Sequence, residues 1–211
     1  MNANRLSTLL ATLALTATVA AAQNSRPSSP PGTAATQVGG EWTESEGRTR
    51  FEGGKWIEIT YGRPILRGRQ GIFGSGEDYG QQVNAGAPVW RAGANVTTRL
   101  HTEADLEIGG TRVPAGQYSL FIELKSPSKW TLILSNWAAQ EQYDPNSKDA
   151  LWGSYGYTPD KDVVRAPMNV MKIENSVDQL TYGFLDVGKD GGTLALWWDD
   201  VMATLPFKVV G

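Results

Sequence analysis

Cysteine is absent from this 211-residue chain, and histidine occurs once. Without thiols there is no disulfide, no thiolate nucleophile, no iron–sulfur cluster and no zinc site built on cysteine. The single imidazole, His101, excludes a multi-histidine metal site. A Ser-His-Asp triad would have to use that one ring, and no G-x-S-x-G turn accompanies it. No spaced D-x-D-x-D-G loop for calcium appears. Charge is modest and slightly acidic, net −3, which argues against a nucleic-acid surface. Past the N-terminal segment no apolar run is long enough to span a membrane. There is no repeat of fixed period and no long amphipathic helical pattern. Nothing here calls for a cofactor or a metal.

The N-terminal segment carries Arg5, an apolar run over residues 9–22, and Ala20, Ala21 and Ala22 just before Gln23. A basic start, a short apolar stretch and an A-x-A end describe a secretory signal peptide. We therefore expect residues 1–22 to be removed and the chain to be exported, periplasmic or extracellular. Removing a segment with one arginine and no acid takes the formal charge from −3 to −4. About 190 residues remain, enough for one domain with a core that needs no cross-links. Residues 23–41 are rich in Ser, Pro, Gly and Thr and read as a disordered linker. Residues 42–211 are then a single β domain.

Alternation of period two dominates that domain. Residues 48–52, Gly53-Gly54 and residues 55–61 predict a hairpin, with Ile57, Ile59 and Tyr61 on one face. From 104 to 136 the spacing predicts an antiparallel meander. Tyr118, Leu120, Ile122 and Leu124 share one face and Trp130, Leu132 and Leu134 answer them. Residues 138–143 could form one or two helical turns, and residues 152–157 (WGSYGY) form an aromatic-glycine loop. Strands are expected again at 163–173, 179–187, 193–199 and 203–209, with the GKDGG turn between the second and third. About nine or ten short strands and little helix predict an all-β fold, an antiparallel β-sandwich or a jelly-roll-like barrel.

The segment with most chemistry runs from Tyr61 to Asn95. It holds Arg63, Arg67, Arg69 and Arg91, with Tyr61, Trp90 and Asn95 among them. Guanidinium forks grip carboxylates and phosphates in two-pronged geometry and stack on aromatic rings. Pro64 restricts Arg63 to an extended backbone. Trp90 and Arg91 are strand neighbours and point to opposite faces. Either Trp90 packs in the core and Arg91 reaches a rim, or Arg91 is inward and needs a buried partner. Two readings fit: an anion-recognising site, or internal ion pairs that join loops to the sandwich. On the first reading Arg63 and Arg91 converge. The wall would be Tyr61, Arg63, Arg69, Trp90, Arg91 and Asn95, faced by Asn136, Trp152 and Tyr155.

Other groups read more plainly. The acid pairs Glu77/Asp78 and Asp160/Asp162 fall in loops where acids are ordinary turn residues, and Asp199/Asp200 ends a strand. Of eight tryptophans, Trp130 and one of Trp197/Trp198 are core positions by alternation. Trp152 and Tyr155, in a loop, are the better candidates for ligand contact.

The elements YGRP, RGR-x-x-IFG, VWRAGAN, PAGQYSLF, WTLILSN and WGSY, in this order, resemble the domain of unknown function 2911 (DUF2911) family over most of residues 45–209. The resemblance implies an exported or envelope bacterial protein with a mostly β domain, and it supplies no catalytic residues. The chain departs from the family pattern between Gly74 and Val89, where a longer loop stands, and at Ala92, where threonine is typical. The leading expectation is a non-enzymatic module that binds a small anionic or carbohydrate-like ligand. The rivals are a hydrolase or lyase using a carboxylate pair or His101 with arginine stabilisation, and a structural envelope module. A pocket without acids would favour binding. Convergent acids would favour the enzyme. Arginines that are all ion-paired would favour the structural role.

Overall fold

A computed structural model describes residues 27–211; the expected signal peptide lies outside the described residues. Two sheets packed face to face make the fold. One has six strands, in the order β1 (Pro31–Val38), β4 (Lys55–Gly62), β5 (Thr98–Thr102), β8 (Gly116–Ser126), β9 (Lys129–Ser135) and β12 (Asp162–Pro167). The other has four, in the order β13 (Asn169–Gly188), β14 (Gly191–Val209), β6 (Leu106–Ile108) and β7 (Thr111–Val113). Both sheets are antiparallel and neither closes into a barrel. The remaining strands are the hairpin β2 (Glu41–Ser45) and β3 (Arg48–Glu52), and the two-residue parallel pair β10 (Ala138–Ala139) and β11 (Ala150–Leu151). The only α-helix among the described residues is α1 (Gln81–Asn84), one turn long.

Alternation explains the core. Ile57, Ile59, Leu100, Leu120, Ile122, Leu132 and Leu134 point inward from the six-stranded sheet and are almost fully buried. They meet Leu194, Leu196, Trp198, Ala203 and Leu205 of β14. A second, smaller cluster lies on the outer face of the same sheet. There the segment after β9 folds back, and Leu151 and Tyr157 cover Phe121 and Ile133.

Five expectations are corrected. The stretch read as a disordered linker contributes β1, which pairs along β4 from Pro31 opposite Gly62 to Val38 opposite Lys55. A polar composition hid it, because the gain is backbone pairing on an otherwise open edge. The hairpin read across Gly53-Gly54 does not form. β3 pairs instead with β2 through Glu46-Gly47, whose φ values of 53° and 72° suit the two-residue turn that matches strand twist. The meander is divided between the sheets, since β6 and β7 belong to the four-stranded sheet and β8 to the other. Residues 138–143 form no helix. The gaps expected near residues 174–178 and 200–202 are irregularities inside two long strands, where the β13–β14 register shifts on both sides of Val177 opposite Asp199.

Aromatic rings tie the two sheets together. Trp90 forms an isolated bridge to Ile122 of β8, and its indole stacks on Trp198 of β14 at 6.0 Å and 13°. Phe73 meets Trp90, Trp130 and Trp198 within 5.9 Å. Trp130 donates its Nε1–H to the Tyr79 hydroxyl at 2.8 Å, and burial pushes that phenol's pKa up. Replacing Trp90 by alanine should cost about 3–5 kcal/mol. Denaturant unfolding of the variant checks this, and a loss below about 1 kcal/mol would mean that the indole stack does not brace the sandwich.

Candidate functional site

The arginine segment leaves β4 at Gly62 and is stitched to the bulged part of β13. Leu66 N–H donates to Asp178 O at 2.7 Å and Leu180 N–H donates to Pro64 O at 3.0 Å. Asp178 also accepts the Arg67 N–H through Oδ1. One turn further on, Asp199 takes over. It is 4% exposed, and its φ of 53° is left-handed, which is costly for a residue with a Cβ. One carboxylate oxygen accepts the Ile72 N–H and the other accepts the Ser176 hydroxyl, both at 3.2 Å. The bulge opposite Val177 thus gives Asp199 the geometry to bind two chain segments at once.

This frame leaves a cleft of about 500 Å³ at one end of the sandwich. Its floor includes Trp90, Trp198 and Ile72. Arg69 and Arg91 stand in its walls, with Asn95, Trp152 and Tyr155. Arg69 is steadied by its own loop: Nε donates to Leu66 O and Nη2 to Ile65 O, both at 2.9 Å. Arg91 donates from Nη1 to Asn95 O at 2.6 Å, and its guanidinium carbon lies 5.2 Å from the centre of the Tyr155 ring. It also rests on Gly153, where a Cβ would come within 2.5 Å of the guanidinium and where φ is +65°. Any larger residue at 153 would displace Arg91. Both arginines are thereby held in place while keeping N–H groups without a protein acceptor.

Among the described residues no carboxylate lines the cleft. Among the described residues no ion pair involves Arg63, Arg67, Arg69 or Arg91. The cleft therefore offers two positive charges and surplus donors.

Of the nine residues expected at a ligand site, the structure brings six together: Arg69, Trp90, Arg91, Asn95, Trp152 and Tyr155. Trp90 is the inward member of its pair and forms floor, while Arg91 reaches the rim, the first of the two arrangements the sequence allowed. Three stand elsewhere. Tyr61 is buried in the core, where its hydroxyl accepts the Tyr182 N–H and its ring meets Tyr182 edge-on at 4.7 Å. Arg63 does not converge with Arg91. Its Nε donates to Leu180 O at 3.3 Å and its Nη2 to Thr181 Oγ1 at 3.4 Å, so it clamps the loop onto β13. Asn136 is exposed after β9 and is absent from the cleft.

Several contributors were not anticipated. Gln82, Val83 and Ala85 come from the longer loop at 74–89, and Tyr155 donates its hydroxyl to Ala85 O at 2.9 Å. The loop's unusual length was the available signal. Ser29 comes from the supposed linker; its carbonyl accepts the Asn95 side-chain amide at 3.2 Å. The acid pairs do not line this cleft. Asp162 and Asp200 are engaged by Arg165 and Lys172 at 2.9 Å, and Asp199 serves as the latch described above. Among the described residues no group of three or more His, Cys, Asp and Glu is placed to hold a metal ion. No helix among them is long and apolar enough to cross a membrane.

Fold and site together define an all-β sandwich with an acid-free, arginine-lined cleft at one end. The chain matches the family described as a protein of unknown function (DUF2911) over residues 44–207, and it belongs to that family. Comparison with curated proteins and with solved structures gives no match.

The latch makes a direct test. Asp199→Ala strands a buried N–H and a hydroxyl, and should cost about 2–3 kcal/mol. Asp199→Asn keeps an acceptor oxygen and should lose less than half of that. Denaturant midpoints of the two variants decide it, and equal losses would show that charge rather than acceptor geometry holds the loop.

Proposed function

We propose that the protein is an exported binding module whose Arg69/Arg91 cleft holds a small anion bearing several oxygens, with Tyr155 and Trp152 against the remainder of the ligand. The single observation that carries this is that, among the described residues, no carboxylate lines the cleft beside two guanidinium groups that the surrounding chain nevertheless fixes in place. Arg63 spends its guanidinium on β13, through Leu180 O and Thr181 Oγ1, whereas Arg69 and Arg91 donate only to carbonyls three or four residues away and stand in the cleft wall. A catalytic carboxylate pair would need to face the ligand, and none does so in this cleft. Carboxylate, phosphate and sulfate groups share the chemistry, since each accepts two parallel N–H bonds from one guanidinium. Export rests on the Arg5, apolar run and Ala20–Ala22 sequence.

Titration calorimetry of the processed chain with phosphate, sulfate, small carboxylates and acidic sugars tests the reading. At least one should bind, more weakly as salt rises. Arg91→Lys keeps the charge but loses the planar fork, so affinity should fall about tenfold or more. Thermal stability should change little, because no ion pair is broken. A wild type that binds none of these anions, with a marked loss of stability in Arg91→Lys, would replace the binding role with a structural one.

A further inference from the structure

The outer face of the six-stranded sheet carries a second candidate site, separate from the arginine cleft. The segment after β9 lies across that face and divides it. Thr97 is buried beneath it, with its hydroxyl 2.9 Å from Leu151 O and 2.7 Å from Gly153 O, and Arg99 pairs with Glu141 of the same segment. On one side of this divider lies the cleft. On the other side, Glu58 and Thr60 of β4, Arg99 and His101 of β5, and Gln117 of β8 line a groove of about 390 Å³. That volume falls within the roughly 300–1,000 Å³ of small-molecule sites.

Register puts these side chains in rows. Glu58, His101 and Gln117 are directly opposite one another across three strands, and Thr60 stands opposite Arg99 in the next row. On the other side of Glu58, Trp56 projects from the same strand face and is 47% exposed. The backbone groups beneath are engaged in the sheet, so recognition must come from side chains. Those side chains are a carboxylate, an amide, an imidazole, a hydroxyl and a guanidinium, which together both donate and accept. The Arg99 charge is balanced by Glu141, and Glu58 would repel an anion. The cleft selects by positive charge; the groove has no such bias.

We propose that this groove binds a neutral oligosaccharide, its hydroxyls bonded to Glu58, His101 and Gln117 and one sugar ring stacked on Trp56. Planar side chains that both donate and accept suit vicinal hydroxyls, and an exposed indole supplies an apolar face for the ring.

The full processed chain is titrated by calorimetry with neutral gluco-, manno-, galacto- and xylo-configured tetrasaccharides, each up to millimolar concentration. One configuration should bind. Gln117→Ala and Trp56→Ala should each weaken it about tenfold or more, and both are surface changes that leave the core intact. Saturating inorganic phosphate should leave saccharide binding unchanged, whether or not it occupies the arginine cleft. The proposal is overturned if no tetrasaccharide binds, if either variant binds as the wild type does, or if phosphate displaces the sugar. Absence of saccharide binding, or variants that bind as the wild type does, leaves the anion reading of the cleft untouched, and displacement by phosphate would place the sugar in the cleft rather than the groove.

Discussion

The contact between Trp90 and Trp198 is the constraint on which the rest of the structure depends. One indole is anchored to β8 by a pair of backbone hydrogen bonds, and the other belongs to β14, so their stacking fixes how the two sheets approach. Both rings also form the floor of the arginine cleft. A change in sheet packing is therefore a change in the shape of the cleft. Because alternation sends Trp90 inward, Arg91 must face the other way, toward Gly153 and Tyr155. The direction of the Arg91 charge follows from the burial of its neighbour.

Arginine occurs here in two different roles that sequence spacing does not separate. Arg63 ends on a carbonyl and a hydroxyl of β13 and acts as a clamp. Arg69 also donates to carbonyls, yet those lie in its own loop and leave the outer end of the guanidinium toward the cleft. Neutral carbonyl partners stabilise a guanidinium without cancelling its charge. The cleft is positive in consequence, although the protein as a whole is acidic.

The all-β class, the β8–β9 hairpin and the inward positions at Leu120, Ile122, Leu132 and Leu134 were legible because period-two alternation needs only local information. β1 was not, because its partner strand lies beyond two intervening strands and its own residues are mostly small, with no large apolar side chain to mark alternation. The hairpin at Gly53-Gly54 was misplaced because two glycine turns compete, and only the three-dimensional path shows that β1 already occupies the edge of β4. Within the cleft, Arg91 with Trp152 and Tyr155 could be picked out by residue type. Tyr61 could not be assigned, since a tyrosine that ends an alternating strand looks the same whether its hydroxyl meets a ligand or the Tyr182 backbone. The latch role of Asp199 was hidden for a related reason: a left-handed backbone at a bulge leaves no mark in composition.

The contacts that shape the arginine loop reach far along the chain. Arg63, Arg67 and Ile72 are held by residues more than 110 positions later, in the last two strands. Such pairings close long loops and are slow to form compared with neighbouring hairpins. The order of assembly follows. The β8–β9 hairpin can form from local sequence, but the loop stays unfixed until the C-terminal hairpin docks. A chain that lacks its last two strands has both Arg69 and Arg91 yet no cleft, so the cleft exists only in the finished molecule.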